Sequence, residues 1–190
     1  RPIYWYGVLV ALGFLAAVAH WNVLGKKDGR PAGFGSELGF WIMLSGILGA
    51  RVAYILANLG VYIENPVEII RLDKGGLVFY GGFIGAAVCL VFLARVRKEP
   101  LLKLADFTVT GLPVGHAIGR VGCFLVGDDY GRPTDLPWGI AFPKGLPPTT
   151  ERVHPTQLYE IAIYVPIALV LLRMRRRGLS DGAVFGWYLV

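Results

Sequence analysis

His116, Arg120 and Cys123 recur at i, i+4 and i+7 within GHAIGRVGCFLVGDDYG, and Asp128 and Asp129 close the same stretch. In a helix the first three share one face. The flanking sequence is apolar enough to sit in hydrocarbon, where a charged side chain costs roughly 2.5–3.5 kcal/mol at a helix centre on insertion scales. An arginine in such a place points into a bundle or cavity, or it snorkels to lipid phosphates as an anchor. The shared polar face favours the first. Guanidinium binds phosphate through two parallel prongs and keeps its proton, and exclusion of water strengthens that contact. The chemistry suggested is recognition of a phospholipid headgroup. These residues alone do not choose between binding, moving and cleaving the lipid.

The elements that must hold these groups are membrane helices. Of 190 residues, 55% are hydrophobic and 17% charged, and the mean hydropathy is +0.55. That composition suits a polytopic membrane protein. Five stretches approach the roughly 20 apolar residues that cross a bilayer: 3–24, 38–59, 76–96, 101–126 and 158–172, the last short and interrupted by Pro166. A sixth begins near Ala183 and is still apolar at Val190. The expectation is an all-α polytopic bundle of five full spans plus a truncated sixth. It forms a single transmembrane domain over 1–190, trimmed at both ends, with a long external loop. Gly81 and Gly85 are four apart, as are Gly111, Gly115 and Gly119, which reads as close helix packing; the alternative is that 75–82, GGLVFYGG, is partly unwound and lines a cavity.

The formal charge is +6, but its distribution argues against a nucleic-acid partner. Lys26, Lys27 and Arg30 follow the first span, Arg95, Arg97, Lys98 and Lys103 the third, and Arg173, Arg175, Arg176 and Arg177 the fifth. The intervening connections carry Glu64, Glu68 and Asp73 against Arg71 and Lys74, and Asp128, Asp129, Asp135 and Glu151 against Arg132, Lys144 and Arg152. Cationic loops thus alternate with non-cationic ones, which places the basic clusters in the cytoplasm and the 128–154 loop outside. Arg120 then lies about 10 Å below the outer surface, at 1.5 Å per residue from Gly127. Tyr6 and Tyr80 fall at a similar depth, Arg51 a little deeper. Arg51 is either a ligand or a structural hydrogen-bond donor, and His154, before Pro155, has either a structural role in the cap or loop or a role at the site. His20 reads as structural, Asp106 as a cross-helix hydrogen-bonding group, and Glu160 as a charge that needs a partner. Cys89 and Cys123 form neither a disulfide framework nor a metal-ligand spacing. No cofactor or metal is expected.

GRVGCFLVGDDYG resembles the signature of bacterial prolipoprotein diacylglyceryl transferases, Gly-Arg-x-Gly-Asn-Phe-x-Asn-x-Glu-x-x-Gly. Supporting matches run in order along the chain: YWYG (4–7), GARVAY (49–54), GGLVFYGG (75–82), ADF (105–107), GRPTDLPWGIAFP (131–143) and HPTQLYE (154–160). Cys123 and Val126 stand where the signature has Asn, Asp128 where it has Glu, and Tyr80 where the family writes His-Gly-Gly. The resemblance implies transfer of the diacylglyceryl group of phosphatidylglycerol to the lipobox cysteine of a preprolipoprotein, with release of glycerol phosphate, at the bacterial inner membrane. It assigns Arg120 to phosphatidylglycerol, and Tyr6, Gly131 and His154 to other motif positions. The expected catalytic set is Arg120, Tyr80, His116 and His154. The expected substrate-binding set is Arg120, Tyr6, Arg51, Cys123, Asp128 and Gly131. The rivals are a non-catalytic phospholipid binder and a transporter. A transporter calls for ionisable groups through the full depth and a repeat between halves, whereas these charges are weighted to the outer side.

Overall fold

A computed structural model describes residues 5–70 and 75–190. The expected start of the first span at Ile3, and Arg71, Asp73 and Lys74, lie outside the described residues. The elements are α1 (Trp5–Lys27), α2 (Phe34–Ala57), α3 (Leu59–Glu64), a 3-10 turn (Pro66–Ile70), α4 (Phe79–Val96), α5 (Leu101–Val109), α6 (Leu112–Val126), strands β1 (Ile140–Phe142) and β2 (Thr149–Val153), α7 (Thr156–Arg176) and α8 (Ala183–Leu189). Five spans are long and apolar enough to cross a membrane, with α5 and α6 counting as one. Large apolar side chains such as Leu15, Leu48, Val88, Phe92 and Leu169 face outward along them, as lipid contact requires. The fold is therefore the all-α polytopic bundle that the hydropathy pattern implies. The fifth span proves longer than its apolar stretch, because α7 continues through Pro166 to Arg176.

The fourth span is the main departure from expectation. It breaks at Thr110–Gly111 into α5 and α6. Pro113 sits in the first turn of α6, where proline has no N–H to lose. Bonds from outside the helix satisfy the break: Trp21 Nε1 donates to the Thr108 carbonyl at 3.0 Å, and His20 Nε2 meets Thr110 Oγ1 at 3.1 Å. Gly111 lets the Trp21 indole sit there, since a Cβ would lie 2.5 Å from Nε1. Asp106, the buried acid of α5, accepts from the backbone N–H groups of Gly182 and Phe185 at 2.8 and 2.7 Å, and so fixes the start of α8.

Two close helix pairings set the frame. Between α2 and α4, a Cβ on Gly49 would lie 2.4 Å from the Gly81 carbonyl oxygen, and one on Gly85 2.3 Å from that of Ser45. Between α1 and α6, a Cβ on Gly13 would lie 2.8 Å from the Gly115 carbonyl oxygen. Lipid is as apolar as leucine, so such backbone-to-backbone packing does here what burial does in water. At the end of the bundle that carries Lys27 and Arg97, Trp21, Phe34, Leu38, Leu93, Leu104 and Phe107 form a core. Arg30 pairs with Glu99 across it, and Arg97 with Glu37 at 2.7 Å.

Gly85→Val forces α2 and α4 apart and is expected to cost about 1–3 kcal/mol, as overpacking does. Gly7→Ala, at a helical position with nothing within 4 Å, is expected to be neutral or slightly stabilising. Thermal unfolding in detergent checks both. A Gly85→Val protein that unfolds at the wild-type temperature contradicts the close-packing account.

Candidate active site

The site is built where α6 ends and α7 begins. Gly127 takes the left-handed conformation (φ 72°) and closes α6, with its N–H and that of Asp128 both donating to the Cys123 carbonyl, at 2.8 and 3.1 Å. Asp129 is also left-handed (φ 54°), uncommon for a residue with a side chain, and it turns the chain back toward α7. The first turn of α7 then holds that turn by its backbone: Thr156 Oγ1 donates to the Asp129 carbonyl at 2.6 Å, and Gln157 Nε2 to the Asp128 carbonyl. Gly131 is needed for the close approach. Its N–H donates to the His154 carbonyl at 2.9 Å, and a Cβ would lie 2.9 Å from both His154 Cβ and Thr156 Cγ2.

The half-buried Arg120 guanidinium is the centre of this arrangement. Nε donates to Glu160 Oε2 on α7 at 2.7 Å, and Nη1 donates to Asp129 Oδ2 at 2.8 Å, with Cys123 Sγ 3.6 Å away. Among the described residues Nη2 carries no bond. The two carboxylates differ in exposure: the Glu160 side chain is 32% exposed and that of Asp129 65%. Sγ of Cys123 and carboxylate oxygens of Asp128 and Asp129 lie within 4.8 Å of one another, a spacing that a metal ion accepts. Arg120 nevertheless contacts two of those three side chains. Its fixed positive charge opposes a cation there, so the set does not fit a metal centre. Two acceptors nearby, Asp128 Oδ1 and Gln157 Oε1, are buried without a donor among the described residues.

The structure brings several of the expected residues to this place. Tyr6 lies against Gly122, where a Cβ would be 3.5 Å from its ring, and within electrostatic reach of Arg120, Cys123, Asp128 and Asp129. His116 lies one turn deeper on α6, with its ring 5.2 Å from that of Tyr164 and Nδ1 3.4 Å from the Tyr188 hydroxyl. His154 stands at the loop entrance: its Nδ1 meets the Tyr159 hydroxyl at 3.0 Å, and Trp138 Nε1 donates to that same hydroxyl at 2.7 Å.

Arg51 and Tyr80 are placed elsewhere. Arg51 is buried and donates to the carbonyls of Glu68, Ile69, Gly75 and Gly76 at 2.5–3.2 Å. It holds the approach to α4, beside a cavity of 440 Å³ that Tyr54, Tyr62 and Gly75 also line. Of the two sequence readings for this arginine, these contacts are those of the structural donor. Both readings of the 75–82 region have a counterpart: Gly75–Val78 is irregular backbone with Gly75 at the cavity, while Gly81 and Gly85, in the helix that begins at Phe79, pack closely on α2. Tyr80 is 76% exposed and its ring meets Phe79. Among the described residues it meets no member of the Arg120 group, since α4 packs on α2 and α5.

Sequence reasoning left Asp129, Glu160 and Gln157 out of the site. Glu160 carried a signal, because a charge one turn into an apolar span needs a partner. Asp129 carried none, since an exposed acid in a loop is ordinary. Gln157 would have needed knowledge that its side chain reaches the turn after α6.

Comparison with known proteins bears on this arrangement. The sequence profile of prolipoprotein diacylglyceryl transferases matches residues 1–190. The chain is 34% identical over 189 residues to the phosphatidylglycerol–prolipoprotein diacylglyceryl transferase of Clostridium tetani, covering 99% of this chain and 76% of that one. It is 37% identical to the protein of that name from Geobacter sulfurreducens (95% and 70% covered), and 35% identical to that from Aeromonas salmonicida (97% and 68%).

The two carboxylates should contribute unequally to stability. Glu160→Gln removes a charged partner from a largely enclosed contact and is expected to cost about 1.5–3 kcal/mol. Asp129→Asn removes an exposed one, worth less than about 1 kcal/mol. Equilibrium unfolding in mixed micelles checks the order, and an Asp129→Asn loss larger than that of Glu160→Gln contradicts it.

Proposed function

The chain belongs to the prolipoprotein diacylglyceryl transferase family, and on that premise we propose that it moves the diacylglyceryl group of phosphatidylglycerol onto a preprolipoprotein cysteine at the Arg120 site. The acceptor is the thiol of the lipobox. The protein is a multi-pass enzyme of the bacterial inner membrane, with Arg120 on the side of the outer leaflet. The alternation of basic and non-basic connections supports that orientation.

In the reaction the cysteine sulfur attacks the glyceryl carbon that bears the phosphate ester. The S–C bond forms, the C–O bond breaks, and glycerol phosphate leaves with the electron pair. The thiol proton passes to a base. Free thiols have pKa about 8.5, so a few per cent is already thiolate at neutral pH. The larger demand is charge growing on the departing phosphate, and a preorganised donor there is worth about 3–4 kcal/mol.

The single observation that carries this reading is how the guanidinium is held. Glu160 fixes the Nε side, while at the end of the fork Nη1 carries the exposed Asp129 and a long contact to Cys123 Sγ, and Nη2 carries no bond among the described residues. Two carboxylates already face one guanidinium, so a phosphodiester enters by displacing one of them. Displacing Asp129 frees Nη1 and Nη2 together, which is the two-pronged edge that phosphate needs. The donorless Asp128 Oδ1 and Gln157 Oε1 suit a headgroup that brings hydroxyls as well as phosphate. His116, one turn below Arg120, is the proposed proton acceptor, because an imidazole is a better base than a phenol at neutral pH. Tyr80, which meets no member of the Arg120 group among the described residues, is given no step in the transfer.

The test uses labelled phosphatidylglycerol and a lipobox peptide. Release of glycerol phosphate only when peptide is present is the expected result. A protein that binds the lipid and releases nothing is a binder and overturns the proposal. Arg120→Lys keeps the charge but cannot hold Glu160 with one edge and phosphate with another, so a fall of about 100-fold or more is expected. His116→Gln should lower turnover more than Tyr80→Phe, and the reverse order would assign the base to Tyr80.

A further inference from the structure

The ends of α1 and α7 that carry Lys27 and Arg176 face one another across a crevice and are joined by the Arg175–Asp28 pair. Both helices pack on α6, in the outer half of the bundle, and below it they leave this crevice of 250 Å³. It is lined by the apolar Val23, Leu24 and Leu172, by the cations Lys27, Arg175 and Arg176, and by Asp28. At the back stands His20, whose Nε2 meets Thr110 Oγ1 at the break of the fourth span. Arg175 is committed: it pairs with Asp28 and lies over the Phe107 ring, 5.0 Å from its centroid. Lys27 and Arg176 have no anionic partner among the described residues. The crevice therefore combines two uncompensated cations with an apolar wall open to the bilayer.

We infer that this crevice is a second lipid site, one that takes the phosphate of an anionic phospholipid from the inner leaflet. The phosphate sits between Lys27 and Arg176, and the acyl chains run along Val23, Leu24 and Leu172. Cationic pockets between helices at the cytoplasmic face are where anionic headgroups collect. A soluble phosphate has use for the cations but none for the apolar wall. The site is separate from Arg120: Tyr6 and Lys27 mark the two ends of α1, about 30 Å apart at 1.5 Å per residue. The leaflet assigned here rests on the orientation proposed above, whereas the crevice and its charges do not. A lipid held there bridges α1 and α7, the helices that carry Tyr6 and Glu160 to the other end.

The test is binding of phosphatidic acid to the full chain in neutral detergent, followed by native mass spectrometry. Phosphatidylcholine and inorganic phosphate are the comparison ligands, and the proteins are wild type, Lys27→Gln/Arg176→Gln and Arg120→Gln. The double variant is expected to bind phosphatidic acid about thirtyfold more weakly, from two interfacial cations. Arg120→Gln should retain a tightly bound phosphatidic acid. The double variant should also keep wild-type turnover in the peptide assay, which shows that it is folded. Equal binding by wild type and double variant overturns the inference, as does loss of all anionic lipid in Arg120→Gln alone. Inorganic phosphate that competes as well as phosphatidic acid overturns the lipid assignment. Failure of turnover in wild type tells against the proposed function and leaves these binding results to decide the crevice by themselves.

Discussion

The bond from Arg120 Nε to Glu160 is the constraint on which the site depends. A guanidinium placed in an apolar span must be compensated, and on the proposed function the compensation must leave one edge available to phosphate. Glu160 meets both demands because it comes from α7 and approaches from the side. That geometry needs α6 and α7 to lie side by side, and it needs the chain between them to leave α6 sharply and return. Gly127 supplies the sharp exit, and Gly131 lets the returning loop press on His154 and Thr156. The long segment between α6 and α7 is therefore less a free loop than a tether whose two ends are pinned at the arginine.

The rest of the bundle serves this end in two ways. The glycine contacts of α1 with α6 bring Tyr6 to the site, and those of α2 with α4 build a second, separate pair. Arg51 belongs to that second pair, where it gathers the carbonyls that lead into α4. The break at Thr110–Gly111 divides the fourth span into α5, bound to the core and to α8, and α6, which carries Arg120. It is also where His20 reaches across to close the back of the inner crevice.

Much of this was legible from residues alone, and the limits have physical causes. Hydropathy located the spans, because lipid demands continuous apolar helices. Periodicity placed His116, Arg120 and Cys123 on one face, since helix spacing is local. Which carboxylates meet the arginine was not legible. Glu160 is 40 residues from Arg120, and its approach depends on how two helices pack. Asp129 looks like any loop acid until its left-handed backbone turns it back. Arg51 and Tyr80 lie at a plausible depth, but depth is one coordinate and gives no azimuth around the bundle. The continuous apolar run of 101–126 hid its break, although Pro113 and the Thr110–Gly111 pair were a fair signal for one.

The central claim is that lipid phosphate replaces Asp129, and not Glu160, on Arg120. The most direct test is the KM for phosphatidylglycerol of Asp129→Asn, with wild type and Glu160→Gln measured beside it. Removing an internal competitor without touching the anchored edge should lower KM severalfold while kcat stays within about twofold of wild type, the signature of a change confined to ground-state binding. Glu160→Gln should lower kcat, because the guanidinium is no longer aimed. The opposite result, a raised KM in Asp129→Asn together with a lowered KM in Glu160→Gln, would mean that the phosphate enters on the Nε side and would contradict the account.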